Sequence, residues 1–392
     1  MNARNSIEGA LTVGIVVIDA TVADVRLRSS RTTGIGAMLA GRPVSEALSL
    51  VPMLFSLCGM AQGIAAVSAC ESATGITASP AQRAARDLLI LAEMVDSHAW
   101  QIAMEWPRLT GGDPNPALLR PVRNATAALV AALYPARDWN RPGGGALSPD
   151  AARLRDPCSG ISAAIDRLTG SGFNILGDAD DLKHWSQDSM TPAAPLIAQI
   201  IADDMAGFGR SGVVALPDLP ADWFAQRLAA TPDFSGQPHL DGKPADTGAL
   251  QRVAATPLIA DLKRHHGNGI LARFTAKLVE LAGLPARFSA LAAGITAEPA
   301  AAILLHATGT GVGIADTARG RLAHWVDLEQ GLVKDYRTVA PNEWNFHPQG
   351  ALVRGLVGLP ACDDLRRRAG LLIAALDPCV PCHVMIEEFA GA

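Results

Sequence analysis

A stretch of 24 residues without a charged side chain, from Ala47 to Cys70, constrains the fold more than any other feature of the sequence. Glu46 and Glu71 bracket it, and its length is enough for a helix to span a bilayer. The stretch also contains a proline, two glycines, a glutamine and three serines, which suit a turn followed by a helix in the core of a water-soluble protein. We therefore predict a buried segment and no membrane span.

The composition is that of a chain that buries a large core. Of 392 residues, 49% are hydrophobic and 18% are charged, which excludes global disorder. The net charge of −5 and the lack of a long basic run argue against a nucleic-acid-binding protein. Six cysteines are too few for a disulfide-rich scaffold, and no apolar signal-peptide core precedes Glu8. We expect a cytoplasmic protein whose thiols are reduced and available to metals.

Strand patterns lie at the two ends of the chain, and helical patterns lie between them. Predicted strands cover residues 11–17, 22–27, 322–326 and 332–339, the last two flanking the turn Glu329-Gln330-Gly331. Helical spacing covers residues 80–104, 121–133, 159–168, 195–205, 223–228, 270–281 and 362–376. The predicted class is α+β and mostly α, in a single domain of residues 1–392. The glycine-rich loop 137–149 is a candidate internal boundary.

The most specific local motif is Asp377-Pro378-Cys379-Val380-Pro381-Cys382-His383. Two cysteines at this spacing can direct their sulfurs at one metal ion from a single turn. The pair is equally compatible with half a zinc site, a redox pair or a structural role. A redox pair normally opens a helix after a strand, whereas this pair ends a helix. A zinc site needs further ligands, for which Cys58 and His383 are the candidates.

Other reactive residues have simpler interpretations. The remaining cysteines lack metal-like spacing and are interpreted as small buried apolar residues: Cys70, Cys158 and Cys362. The pair His265-His266 follows Lys263-Arg264 and is interpreted as a solvated basic surface. The glycines at 309, 311 and 313 match neither a P-loop nor a dinucleotide-binding motif. Arg319, at the entrance of a strand, fits either a buried donor facing an anion or an ordinary surface arginine.

Several segments, taken in order, resemble the large subunit of nickel-iron hydrogenases. The resemblance includes a Cys-Gly segment near the N-terminus and an Asp-Pro-Cys-x-x-Cys segment near the C-terminus. It spans residues 7–382 and is carried by Ile7-Glu8-Gly9, Thr33 to Arg42, Leu57 to Ala61, Asp316 to Trp325, Pro341 to Asn345 and Asp377 to Cys382. The family fold that this implies has a central helical core, with β-strands contributed by the N- and C-terminal segments.

The chain also departs from that family at its metal sites. Four family cysteines bind nickel, and the second of each pair also bridges to iron; here Ala61 occupies one bridging position. The family's magnesium ligands, a glutamate and a C-terminal histidine, are replaced by Gly36 and Met385. The reduced cysteine set is similar to that of the hydrogenase assembly proteins called HupK or HoxV.

This second resemblance implies a non-catalytic maturation scaffold. Such a scaffold transiently holds an Fe(CN)2(CO) fragment, without nickel, before transfer to the hydrogenase large subunit. Its implied partners are that large subunit and maturation chaperones of the HypC/HypD type.

The resemblance also implies roles for individual residues. Cys382 is the first candidate for an iron thiolate, and Cys58 and Cys379 are candidates for a second sulfur. Arg319 and Asn342 match the positions that donate hydrogen bonds to the cyanides, and we expect Asp316 to orient Arg319. The expected surroundings of the site are Glu8, Ala61 and His383.

Two alternatives remain open at the level of the sequence. One is a divergent hydrogenase large subunit that activates hydrogen, although three cysteines and the missing magnesium ligands argue against it. The other is a structural pseudo-subunit with a zinc site formed by Cys58, Cys379, Cys382 and His383. Iron with cyanide and carbonyl, nickel with iron, and zinc alone are the metal contents that distinguish the three.

Overall fold

The computed structural model describes residues 9–30, 35–55, 57–302 and 308–389. Within these residues the strands are β1 (Leu11–Ile18), β2 (Thr21–Ser29), β3 (Val214–Ala215), β4 (Ala245–Asp246), β5 (Gly309–Thr317), β6 (Gly320–Glu329), β7 (Leu332–Val339) and β8 (Cys382–Phe389). The first helices are α1 (Ile35–Leu39), α2 (Val44–Leu50), α3 (Gly59–Thr74), α4 (Pro80–Trp100), α5 (Trp106–Leu109), α6 (Leu119–Leu133), α7 (Ala151–Thr169) and α8 (Ala179–Asp188). The others are α9 (Ala194–Ala202), α10 (Ala221–Ala230), α11 (Ala249–Arg252), α12 (Pro257–His266), α13 (Ile270–Ala292), α14 (Pro341–Asn345), α15 (Ala351–Leu356) and α16 (Leu365–Leu376).

Helices α4 and α13 pack together in the centre of the main hydrophobic core. Helix α4 begins at a Ser79 cap, whose hydroxyl accepts a hydrogen bond from the Gln82 amide, and Pro80 occupies the first turn. The α-helical geometry ends at Trp100 and continues as a π-helical turn over Gln101–Glu105. The predicted helix 80–104 is therefore present, but its last turn is widened, as is common near functional sites.

The two ends of the chain meet in one sheet. Its order is β2-β1-β8, with β2 antiparallel and β8 parallel to β1. Leu11 lies opposite Cys382 across the parallel pair, so the C-terminal cysteine motif is held beside the first strand. The prediction of the β1–β2 pair is confirmed, whereas the separate strand β8 was not predicted from the sequence.

The second main sheet has the order β5-β6-β7 and is antiparallel. The predicted hairpin joins β6 to β7, and both Gln330 and Gly331 have positive φ at its turn. The glycine-rich stretch forms β5, because Gly311 and Gly313 let helix α3 lie directly against the strand. A Cβ atom at Gly313 would overlap the Ala65 carbonyl oxygen of α3.

Several predicted boundaries differ from the observed ones. Helix α7 begins eight residues before the predicted Ser159 and contains Pro157, while α9 ends at Ala202 and not at 205. The loop 137–149 is tied to the core, since Arg86 donates to the carbonyl oxygens of Trp139 and Arg141. Among the described residues, no helix is both long and apolar enough to cross a membrane. The uncharged stretch instead forms α2, a short turn and α3.

Candidate functional site

Cys58 occupies the N-cap position of helix α3. The preceding turn passes so close that a Cβ atom on Gly59 would lie 2.5 Å from the Pro52 carbonyl oxygen, which explains the glycine after the cysteine. The Cys58 side chain is only 7% exposed, and the Gln62 Nε2 lies 3.4 Å from its sulfur. The start of α3 therefore fixes this thiol inside the protein.

Cys379 is held by Asn342 of helix α14, which follows β7. The Asn342 Nδ2 donates to the Cys379 sulfur over 3.0 Å, and the Asn342 Oδ1 accepts from the Cys379 amide over 3.2 Å. Helix α16 ends at Asp377, which has a left-handed backbone with φ 61° and directs the chain into the cysteine motif. Asn342 thus fixes both the backbone and the thiol of Cys379.

The structure brings Cys58 and Cys379 to one place. Burial, the nearby Cys379 thiol and the Glu93 carboxyl raise the pKa of Cys58 to about 12. Burial raises the pKa of Cys382 to about 11. Cys379 and Cys382 both line a cavity of about 500 Å³, which is also bordered by Trp100. Cys58 and Cys379 are therefore within electrostatic range of each other, and Cys382 borders the same cavity as Cys379.

Arg319 reaches this cavity from the turn between β5 and β6. The Thr317 hydroxyl accepts hydrogen bonds from the amides of Arg319 and Gly320 and so shapes the turn. The Arg319 side chain is 5% exposed; its Nη1 donates to Ser97 Oγ over 3.0 Å, and its Nε lies 3.1 Å from Asp377 Oδ1. Of the two interpretations of Arg319, the buried donor is the observed one.

The electrostatics around Arg319 keep it charged. Burial opposes the charge, but the Asp377 carboxylate, with smaller contributions from Cys379 and Cys58, outweighs burial and raises the pKa of Arg319. Its Nε is buried without a hydrogen-bond partner of good geometry among the described residues, although Asp377 Oδ1 lies 3.1 Å away. A buried guanidinium with one unsatisfied donor thus lines the cavity that Cys379 and Cys382 also line.

The expectation that Asp316 orients Arg319 is wrong. Asp316 and Arg321 face each other across the β5–β6 ladder, and the Arg321 Nε lies 2.8 Å from Asp316 Oδ1. Asp377 pairs with Arg319 instead, because the end of α16 lies beside the β5–β6 turn. The aspartate of the cysteine motif therefore has a structural function that its spacing in the sequence does not reveal.

Sequence reasoning also missed several buried polar groups around the thiols. Lys277 of α13 donates to Gln101 Oε1 over 2.7 Å and to the Ala374 carbonyl oxygen over 3.0 Å, and lies 3.7 Å from Asp377 Oδ2. Burial lowers the pKa of Lys277 to about 8, although Asp377 opposes this shift. No local motif marks this lysine, since helical spacing only places it on a buried face.

A second missed group connects Cys58 to the hairpin. The His324 Nε2 lies 2.6 Å from Gln62 Oε1, and its Nδ1 lies 2.6 Å from the Tyr336 hydroxyl. Because Oε1 can only accept, Nε2 carries the proton and the tyrosine hydroxyl donates to Nδ1. This series of hydrogen bonds holds the Gln62 amide group against the Cys58 sulfur.

The remaining predicted residues lie around the site or away from it. Ala61 is fully buried in the first turn of α3, and its amide donates to Glu93, whose pKa burial raises to about 7. His383 is exposed on β8 and does not point into the cavity lined by the cysteines. Glu8 lies outside the described residues. Within the described part of the chain, no three His, Cys, Asp or Glu side chains are arranged to hold a metal ion.

The magnesium positions of the resembled family are also occupied differently. A side chain at Gly36 would overlap the Tyr336 carbonyl oxygen of β7. Met385 is 50% exposed on β8. Neither position offers a metal ligand here.

Among the other cysteines, the interpretation as a buried apolar residue is confirmed for Cys70 and is wrong for Cys158 and Cys362. Cys70 is 1% exposed, while Cys158 and Cys362 are only partly buried, and the Cys362 thiol lies 3.0 Å from Asp364 Oδ1. His265 is exposed at the basic end of α12.

The fold is that of nickel-iron hydrogenase large subunits. The structure is similar to the nickel-iron-selenium hydrogenase of Desulfovibrio vulgaris Hildenborough, with a TM-score of 0.67 at 17% identity over 92% of this chain and 94% of that one. It is also similar to the enzyme of Desulfomicrobium baculatum, with a TM-score of 0.69 at 15% identity over 93% and 95% of the two chains. The family model of nickel-dependent hydrogenases matches residues 243–385.

Curated relatives define the family more narrowly. The hydrogenase expression/formation protein HoxV of Cupriavidus necator is 31% identical over 90% of this chain and 91% of its own length. The hydrogenase expression/formation protein HupK of Azotobacter vinelandii is 32% identical over 96% and 98%. The chain belongs to the HoxV/HupK family of hydrogenase expression/formation proteins, and the family resemblance found in the sequence is confirmed.

Proposed function

We propose that the chain is a hydrogenase maturation scaffold that transiently holds the Fe(CN)2(CO) fragment before transfer to a hydrogenase large subunit. The main supporting observation is the buried guanidinium of Arg319, which lines the same cavity as Cys379 and Cys382 and has an Nε without a hydrogen-bond partner. Its relatives are named hydrogenase expression/formation proteins, which supports a role in maturation.

The balance of buried charge supports an anionic assembly at this place. The single carboxylate of Asp377 serves two buried cations, Arg319 at 3.1 Å and Lys277 at 3.7 Å. Arg273 is paired separately with Asp246. Glu93 also interacts with Arg319, and burial raises the pKa of Glu93 to about 7. When Glu93 is protonated, the two cations outnumber the one carboxylate, and a bound thiolate would supply the missing negative charge.

The thiols are suited to binding that is coupled to proton release. With a pKa of about 12 for Cys58 and about 11 for Cys382, these thiols are protonated at neutral pH before cargo binds. Coordination to iron displaces the proton, so retention depends on pH and is reversible. We assign Cys382 as the first iron thiolate and Cys58 or Cys379 as the source of a second sulfur.

Arg319 and Asn342 would then bind the diatomic ligands. Cyanide bound to iron has a negative nitrogen, which the buried guanidinium of Arg319 can contact without a further desolvation cost. Asn342 already donates one amide hydrogen to Cys379, which stabilises a thiolate there, and its other amide hydrogen is the one we assign to cyanide. Both roles are those that the family resemblance implies, and both residues lie beside the thiols.

The same site does not favour catalysis. Alanine at position 61 removes a bridging thiolate, and the Ala61 amide is bound to Glu93. A nickel-iron pair would therefore lose one of its two sulfur bridges, and we propose that the isolated protein takes up no hydrogen. The protein would act in the cytoplasm, with chaperones of the HypC/HypD type delivering the fragment and the hydrogenase large subunit receiving it.

Metal analysis with infrared spectroscopy tests this proposal. The full chain would be produced together with the maturation proteins, purified without oxygen and compared with Cys382→Ser and Cys158→Ser. We expect iron with one carbonyl and two cyanide stretches in the wild type and in Cys158→Ser, and their loss in Cys382→Ser. Nickel together with iron would support the hydrogen-activating alternative. Zinc without diatomic stretches would support the structural pseudo-subunit, and either result would refute the scaffold.

A further inference from the structure

A second cavity of about 860 Å³ lies away from the cysteines, between α3, α4, the C-terminal half of α13 and the β5–β6 turn. Its volume is in the range of pockets that hold small organic molecules. About half of its lining residues are apolar, with Ile64, Ile90 and Met94 among them. None of the three cysteines assigned to the cargo lines it.

The wall of this cavity is rich in arginine. Although the whole chain is acidic, more arginines than carboxylates line the cavity. The five arginines and three carboxylates are Arg83, Arg86, Arg252, Arg287 and Arg321, with Glu71, Asp87 and Asp316. Two of these arginines are already paired, Arg86 with Glu71 and Arg321 with Asp316. A third, Arg252, is paired with Glu280, which is not among the lining residues, so one excess positive charge remains on Arg83 and Arg287 beside Asp87.

Two of the five arginines have unused donors. Arg252 binds Glu280 through Nε and Nη2, while its Nη1 is buried without a hydrogen-bond partner. Arg287 is exposed at the rim, and no described carboxylate lies within 4.0 Å of its guanidinium. Asp87 interacts electrostatically with Arg287 and Arg83 and offsets part of their charge, although burial raises its pKa. A buried unpartnered guanidinium N–H is costly unless a ligand or water accepts from it.

We propose that this cavity binds an amphiphilic anion, with a carboxylate or phosphate head against Arg252 and Arg287 and an apolar body against Ile64, Ile90 and Met94. A planar guanidinium fork suits either head group, since both present two acceptor oxygens. The apolar side chains would cover the body of the ligand, and the arginines would orient its head. This inference does not depend on the proposed cargo role, because it uses none of the residues assigned to iron.

Fluorescence of anilinonaphthalene sulfonate, which combines an apolar body with an anionic head, tests the site in the purified full chain. We expect one binding site per chain, with near-ultraviolet circular dichroism unchanged by the dye. Competition experiments then test the anionic head and the apolar body separately. Octanoate and octyl phosphate have both and should displace the dye, and the stronger competitor identifies the preferred head group. Octanol, which lacks charge, and inorganic phosphate, which lacks a body, should each compete about tenfold more weakly or worse. Equal competition by octanol or by inorganic phosphate would overturn the assignment.

Surface variants locate the site without disturbing the core. Arg287→Glu reverses a rim charge, and Ala290→Trp fills the space beside it. Each should weaken dye binding about tenfold or more. The matched control is Arg153→Glu, because Arg153 is 76% exposed and outside the cavity. Undiminished binding in Arg287→Glu and Ala290→Trp, or an equal loss in Arg153→Glu, would refute the cavity as the site.

Discussion

Asp377 Oδ1 lies 3.1 Å from Arg319 Nε, and this ion pair connects the cysteine motif to the β5–β6 turn. Asp377 Oδ2 lies 3.7 Å from Lys277 Nζ, so the same carboxylate also reaches the central helix α13. All three side chains are at most 6% exposed. The loop that carries Cys379 and Cys382 is thus positioned by one buried carboxylate between two cations.

Replacing the Asp377 carboxylate is expected to destabilise the folded protein. Asp377→Asn leaves two buried cations without their shared anion and should lower the free energy of unfolding by about 3–5 kcal/mol. Urea denaturation followed by circular dichroism measures the change. Asp203→Asn is the matched control: Asp203 pairs with Arg367 at the surface, and its loss should cost about 1 kcal/mol or less. Equal costs for the two variants would contradict the account of Asp377.

The stability of the protein is expected to fall in acid through Glu280. Burial alone would raise the pKa of this carboxyl, but Arg252 and His98 outweigh burial and lower it from 4.5 to about 2. A carboxyl whose pKa is lower in the folded state stabilises the fold above its unfolded pKa and loses that effect as the pH falls through the folded value. Unfolding free energy should therefore decrease by roughly 3 kcal/mol between about pH 5 and pH 2 from this group.

Denaturation curves at several pH values test that expectation. Glu280→Gln should be less stable than the wild type at pH 6 and should lose the Glu280 part of the acid dependence. Glu105→Gln, at a surface pair with Arg108, should keep the wild-type dependence. A Glu280→Gln profile parallel to that of the wild type would show that Glu280 does not cause the acid loss.

The glycines of β5 are expected to be indispensable for packing against α3. Gly313→Ala places a methyl group against the Ala65 carbonyl oxygen and the Ala69 amide of α3, and should destabilise the fold by about 1–3 kcal/mol or more. Gly283→Ala is the control, because nothing lies near that position in the interior of α13. It should raise stability by about 0.5–1 kcal/mol through helix propensity. Thermal unfolding of both variants measures the difference, and a harmless Gly313→Ala would contradict the packing.

Arg319 is expected to affect the cargo specifically. Arg319→Leu removes the donor that faces the cavity and should reduce the iron content and the cyanide stretches of protein produced with the maturation machinery. Arg319→Lys keeps the charge but loses the fork, and should retain an intermediate amount. Arg264→Leu, at an exposed arginine of α12, should behave as the wild type. Full iron content with unshifted bands in Arg319→Leu would remove Arg319 from the site.

Much of the fold follows from local sequence patterns, whereas the site depends on long-range register. The β1–β2 pair, the hairpin at Gln330-Gly331 and the helix that begins at Pro80 were predicted because turn residues and periodicity determine them locally. Strand β5 was missed because strands usually contain bulky side chains, whereas this strand contains glycines. The glycines are present because the backbone of α3 lies too close for a Cβ atom. The strand β8 was missed because its pairing partner lies at the opposite end of the chain.

In the site, too, local patterns in the sequence did not identify contacts between residues that are far apart in the chain. The proximity of Cys58 and Cys379, 321 positions apart, was expected from the family resemblance and not from spacing. Asp316 was chosen as the partner of Arg319 because it is near in sequence, yet strand pairing directs Asp316 towards Arg321. The actual partner, Asp377, comes from a different element, and only the tertiary structure identifies it. The assignment of iron ligands among Cys58, Cys379 and Cys382 stays a prediction.

Transfer of labelled iron tests the central claim most directly. The full chain would be loaded with 57Fe in cells that contain the maturation proteins, purified, and mixed with hydrogenase large subunit that lacks its metal centre, in the presence of the chaperones. We predict that the label, the carbonyl stretch and the cyanide stretches leave this chain and are recovered together in the large subunit, and that Cys382→Ser transfers none. Retention of the label by this chain, or iron that reaches the large subunit without its cyanide and carbonyl ligands, would contradict the scaffold.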